Sequence, residues 1–126
     1  MNLKKLELQA QIDTPFILLD PQSGICDIVG NSYPEDISSF YKQIVNWFDD
    51  YSFYGVKDLT LNMKLSYFNS ASQKVFTEIF EKLMDNENFK VKVNWYYVKE
   101  DDEILENGRI FQALSGFEFH FFINNA

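Results

Sequence analysis

The chain has 126 residues, 46% hydrophobic, 24% charged and 17% aromatic, with a formal charge of −8. That length suits one domain spanning 1–126, and the composition argues against wholesale disorder. The acidic balance disfavours nucleic acid and anionic membrane surfaces, both captured by clustered Lys and Arg, and no apolar run approaches the roughly 20 residues of a membrane span.

In chain order, Leu6 to Gln11 reads as a short edge strand. Thr14 to Asp20 is apolar and β-prone, Pro21-Gln22-Ser23-Gly24 supplies turn chemistry, and Ile25 to Val29 follows, closed by Gly30. Two strands joined through a loop bearing Pro and Gly predict a hairpin. The period then changes. Ile37, Phe40, Tyr41, Ile44, Trp47, Phe48 and Tyr51 recur at helical spacing, with Pro34 at the start and Glu35 and Asp36 near the positive end of the helix dipole. Leu59, Leu61, Met63 and Leu65 alternate with polar residues and predict a strand. Ser70 to Met84 carries Val75, Phe76, Ile79, Phe80 and Leu83 along one side, a second helix ended by Asp85-Asn86-Glu87-Asn88. Phe89 to Tyr97 alternates again. Asp101 to Leu114 fits a third helix with Ser115 and Gly116 as its stop, interrupted by Gly108, and Phe117 to Phe122 is the last strand. This order predicts an α/β fold. A largely parallel sheet carries an antiparallel hairpin at its N-terminal side, and about three helices gather mainly on one face.

Chemistry is sparse along this chain. Cys26 and His120 are its one cysteine and one histidine, each within a strand, and no Gly-x-Ser-x-Gly elbow exists to build a nucleophile around them. Zinc and calcium spacings are missing, so no catalytic or metal residue is assigned. Glu100-Asp101-Asp102-Glu103 is better explained as the acidic first turn of a helix than as a magnesium site. With five glycines in all, neither the dinucleotide nor the phosphate-loop fingerprint can be drawn, and no cofactor is expected. A lone cysteine and an N-terminus without a secretory signal place the chain in the cytoplasm by default.

The informative place is the junction Leu65-Ser66-Tyr67-Phe68-Asn69-Ser70-Ala71-Ser72-Gln73. Ser70 followed by Gln73 matches a capping box, so Ser70 reads as a helix cap; Asn69 is the alternative cap. The same geometry suits a phosphoacceptor. A phosphate adds about −1.5 to −2 charge, and the helix N-terminus tolerates it while the charge shown to a partner changes.

These residues resemble the SiaC family of bacterial regulatory phosphoproteins. The matching pieces are Thr14-Pro15, Gly24, Gly30-Asn31-Ser32-Tyr33-Pro34-Glu35, Leu65 through Ser72, and Trp95-Tyr96-Tyr97 leading into Glu100-Asp101-Asp102. The resemblance implies a STAS-like fold, similar to anti-sigma-factor antagonists, and a role in partner switching. A dedicated Ser/Thr kinase phosphorylates such a protein, and a PP2C-type phosphatase reverses it. The unmodified form binds and activates a diguanylate cyclase, raising cyclic di-GMP and favouring biofilm or aggregation. The family's phosphorylated hydroxyl falls on Ser70, with serine where threonine is usual and Ala71 where another hydroxyl is usual. Tyr33, Pro34 and Glu35, with Tyr67, Asn69 and Ser72, are the expected partner-binding surface. Two other readings stand beside the switch: a STAS-like module holding a small anion or nucleotide, and an enzyme with an acidic cleft and a carboxylate of raised pKa.

Overall fold

The computed structural model describes residues 3–54 and 57–124. Among them β1 (Leu6–Leu8), β2 (Phe16–Asp20), β3 (Ile25–Ser32), α1 (Ile37–Tyr54), β4 (Leu59–Phe68), α2 (Ser70–Met84), β5 (Val91–Tyr97), α3 (Asp102–Ser115) and β6 (Glu118–Ile123) follow in the anticipated order. One sheet runs β1-β2-β3-β4-β5-β6, antiparallel across β1, β2 and β3 and parallel from β3 to β6. Each crossover steps one strand in the same direction. Right-handed crossovers therefore put all three helices on one face. Burial agrees: β4 turns Leu59, Leu61, Met63 and Leu65 inward and leaves Thr60, Asn62 and Lys64 outside. Aromatics fill the interface, Phe76 meeting Tyr41 and Phe68 edge-on with ring centroids 5.9 and 5.3 Å apart.

Parallel strands are ordinarily covered on both faces. Here the second face is made wettable instead. Asn62 Nδ2 donates to Asp27 Oδ1 at 2.9 Å and Asn94 Nδ2 to Asn62 Oδ1 at 2.8 Å, a polar ladder across three strands. Beside it Lys64 sits over the Tyr96 ring, which stacks on Phe122.

Several boundaries differ from the sequence pattern for local reasons. β1 stops at Leu8. Phe89 is buried but precedes β5, packing edge-on against Tyr51 at the end of α1. Pro34 is not the first residue of α1: Asp36 precedes the helix, and its carboxylate accepts from Ser39 N at 3.1 Å and Ser39 Oγ at 2.7 Å. Those bonds, the hydroxyl's first, hold the Asp36 carboxyl below the usual carboxylate range. In α3, Asp101 Oδ1 caps Ile104 N and Gly116 ends the helix at φ 70°, so the acidic run there is a helix start.

The hairpin turn depends on Gly24. Asp20 accepts from Gln22 N and Ser23 Oγ at 3.0 Å each, and the chain then turns back through Gly24 at φ 74°. A Cβ there would overlap the Asp58 carbonyl oxygen. Gly24→Ala is expected to cost about 2 kcal/mol, the cost of a left-handed residue with a backbone clash added. Thermal melting of the variant checks this, and an unchanged Tm would contradict it.

Candidate functional site

The site forms where β3 and β4 end side by side, with Ser32 opposite Phe68. Gly30 pairs with Leu65 but Asn31 pairs with Tyr67, so Ser66 is an extra residue in β4. Gly30 carries the irregularity at φ 125°. Simple alternation would send Tyr67 inward after Leu65. The extra residue reverses this: Phe68 enters the core and Tyr67 stands 52% exposed. Tyr33, just past β3, is 38% exposed and meets Tyr67 edge-on with centroids 5.8 Å apart.

α2 begins at this edge. Asn69 caps it: its backbone is extended and its Oδ1 accepts from Ser72 N at 2.9 Å, while Gln73 N bonds Asn69 O at 3.0 Å. The capping role assigned to Ser70 by the S-x-x-Q pattern therefore belongs to Asn69. Ser70 is the first helical residue and is exposed. The amides of Ser70 and Ala71 lie in the turn that has no intrahelical acceptor, at the positive end of the dipole. Asn69→Ala is expected to cost about 1 kcal/mol, and Ser70→Ala less than about 0.5 kcal/mol, in denaturant unfolding. Equal losses would return the cap to Ser70.

Two residues expected on the surface are inside it. Ser72 is fully buried: its Oγ donates to the Ser32 carbonyl at 2.9 Å and lies 2.7 Å from Ser32 Oγ, which lies 2.5 Å from Tyr41 Oη. Pro34 is buried as well, as the chain turns in between β3 and α1. Glu35 is exposed, and Asn69 is half-buried by its own cap. The outward group is therefore Tyr33, Glu35, Tyr67 and Ser70. Sequence reasoning missed Ser32 and Tyr41 as the support beneath it. Ser32 lay inside the matched run Gly30 to Glu35, while Tyr41 was indistinguishable from any apolar position of α1.

The other chemical groups stay apart. Cys26 is buried on the helix-covered face, its thiol pushed up to about 12 by burial, while His120 shares the open face with Asp27 and Asn94. Asp20, Asp36 and Glu118 have pKa values that move, and each moves down through hydrogen bonds, the reverse of a general acid. Among the described residues no three His, Cys, Asp or Glu side chains converge as metal ligands, and no helix is long and apolar enough to cross a membrane.

A six-stranded mixed sheet covered on one face by three helices, with a solvent-facing hydroxyl opening one of them at the strands' C-terminal edge, makes this a small α/β domain. The chain belongs to the SiaC family: the model of the SiaC family regulatory phosphoproteins matches residues 8–124. An uncharacterised protein of Pseudomonas aeruginosa strain UCBPP-PA14 is 26% identical over 119 residues, 93% of this chain and 94% of that one. The crystal structure of apo-SiaC from Pseudomonas aeruginosa superposes with a TM-score of 0.85 at 26% identity, covering 93% of this chain and 97% of that chain. A chain of the complex of diguanylate cyclase SiaD with its activator SiaC, from the same organism, gives 0.87 at 25% identity, over 94% and 99%.

Proposed function

We propose that this chain is a phosphorylation-controlled partner switch, a single SiaC domain that in its unmodified form binds and activates a diguanylate cyclase. The observation that carries the reading is the placement of Ser70. It opens α2 exposed to solvent, three residues after Tyr67 of the exposed Tyr33–Tyr67 pair, in a chain of a regulatory phosphoprotein family. The likeness to the activator SiaC, seen with its cyclase, supports a cyclase as the partner. A Ser/Thr kinase loads Ser70 and a PP2C-type phosphatase clears it, in the cytoplasm. The chain itself performs no catalysis, and the modified form raises no cyclic di-GMP, the signal that drives biofilm or aggregation.

The helix N-terminus makes the modified form foldable. A phosphate on the first helical residue sits at the positive end of the dipole, so the added charge leaves α2 intact and acts on what docks there. The test is phosphopeptide mapping of the chain purified from its native host, with the kinase active and then deleted. A phosphoryl group on Ser70 that disappears with the kinase is the expected result. Its absence under both conditions would end the reading.

A further inference from the structure

We infer that Tyr41, Ser32 and Ser72 form a buried seal that confines phosphorylation to Ser70, making Tyr41 and Ser32 positioning residues for the acceptor turn. The inference rests on the reading of Ser70 as the acceptor. Two hydroxyls open α2, and consecutive helical positions are about 100° apart, so residues two apart face nearly opposite ways. Ser70 faces solvent and Ser72 faces the end of β3.

The hydrogen-bond count fixes how tightly Ser72 is held. Its proton goes to the Ser32 carbonyl, an acceptor only. Ser72 Oγ can then only accept from Ser32 Oγ, and Ser32 Oγ in turn accepts from Tyr41 Oη. Each of the three protons has one acceptor. The Ser32 carbonyl also takes Asn69 N at 3.1 Å, so one residue of β3 holds both the cap and the third residue of α2. The Ser72 amide is occupied too, by Asn69 Oδ1. A kinase reaches Ser72 only after this set opens, whereas Ser70 requires no opening. Tyr41 closes the set from α1, which ties the acceptor turn to a helix it does not belong to. Burial and the Ser32 bond are the opposing influences on its phenol, and burial, the larger, raises its pKa, so it stays a donor.

The experiment compares Tyr41→Phe and Ser32→Ala with Tyr51→Phe, which deletes another largely buried tyrosine hydroxyl of α1, the one that bonds Lys57 O at 2.7 Å near the far end of the helix. Amide hydrogen exchange of Ser72 and Gln73 in the unmodified protein is expected to rise about five- to tenfold in Tyr41→Phe, the factor that loss of one buried hydrogen bond implies. It should rise further in Ser32→Ala and stay unchanged in Tyr51→Phe. In the native host the phosphate share on Ser72, relative to Ser70, should rise at least tenfold in Ser32→Ala. Should Ser32→Ala fail to fold, Tyr41→Phe carries both readouts. Unchanged exchange in Tyr41→Phe, or an equal rise in Tyr51→Phe, overturns the seal. Faster exchange with phosphate still confined to Ser70 overturns its role in selectivity. Native protein with no phosphate removes the Ser70 reading and the selectivity with it, while the exchange comparison still decides whether the seal exists.

Discussion

Ser70→Asp is expected to weaken binding to the proposed cyclase partner about thirtyfold, with Ser70→Ala binding as tightly as the native chain. The two variants should differ in binding without differing in fold. Ser70 is exposed and is not the cap, so alanine removes no hydrogen bond that holds α2. Aspartate at the first helical position interacts favourably with the dipole, by about 0.3–1 kcal/mol, so that variant should melt no lower than the native chain. In the proposed interface, at the edge that also exposes Tyr33 and Tyr67, the same carboxylate would lose its water against a surface built for a neutral hydroxyl. An unpaired charge in a contact costs several kcal/mol, and about 2 kcal/mol already gives a thirtyfold loss. A phosphate of −1.5 to −2 should exceed it. Salt separates two origins of the loss. General repulsion by a chain already at −8 would fade with ionic strength, since charges are screened beyond about 8 Å at physiological salt; local desolvation would persist. Calorimetric Kd values at two salt concentrations decide it. Equal binding by Ser70→Asp and Ser70→Ala would remove Ser70 from control of the interface.

The order of strands and helices was legible because periodicity reports burial, and burial here is one-sided. α2 was readable from Ser70 to Met84 by its apolar stripe together with the capping pattern before it and the poor helix formers after it. The edge around Ser70 was less legible, since its geometry is set by tertiary contacts rather than by local pattern. Asn69 and Ser70 are both good cap residues, and sequence spacing favoured Ser70 through Gln73. What decides is the Ser32 carbonyl, which accepts from Asn69 N and pulls Ser72 inward from forty residues away in the chain. The extra residue at Ser66 was invisible for the same reason: an irregularity in pairing belongs to two strands, and one sequence shows only one of them at a time. Tyr67 reached the surface through that irregularity. Pro34 and Ser72, polar or turn-like residues in a run of surface-like neighbours, carried no local signal of burial.

Gly108 shows the reverse case, a residue that looked like a defect in α3 and whose replacement should be costly. Helix propensity alone predicts that Gly108→Ala stabilises by about 1 kcal/mol. Packing predicts the opposite. A Cβ at Gly108 would lie 2.6 Å from both Cδ1 and Nε1 of Trp95 and 2.8 Å from Cε2. The ring has little room to retreat: it is 1% exposed, lies among Phe68, Phe111 and Phe119, and donates from Nε1 to Ile104 O at 2.9 Å. That carbonyl is also the one the Gly108 amide bonds in a regular helix, so glycine lets the helix and the indole share one acceptor. Overpacking costs about 3 kcal/mol at the upper end of its usual range, and displacing the indole from its acceptor adds about 1 kcal/mol. Gly108→Val is therefore expected to lose about 4 kcal/mol, with Gly108→Ala smaller but still destabilising. Trp95→Phe supplies the check, because phenylalanine lacks the five-membered ring that occupies the space. It loses stability alone, but the double variant Trp95→Phe with Gly108→Ala should be more stable than the sum of the single losses predicts, by at least about 1 kcal/mol. Denaturant unfolding of the four proteins measures the coupling. Additive losses would mean that α3 and β5 adjust independently and that the glycine is tolerated rather than required.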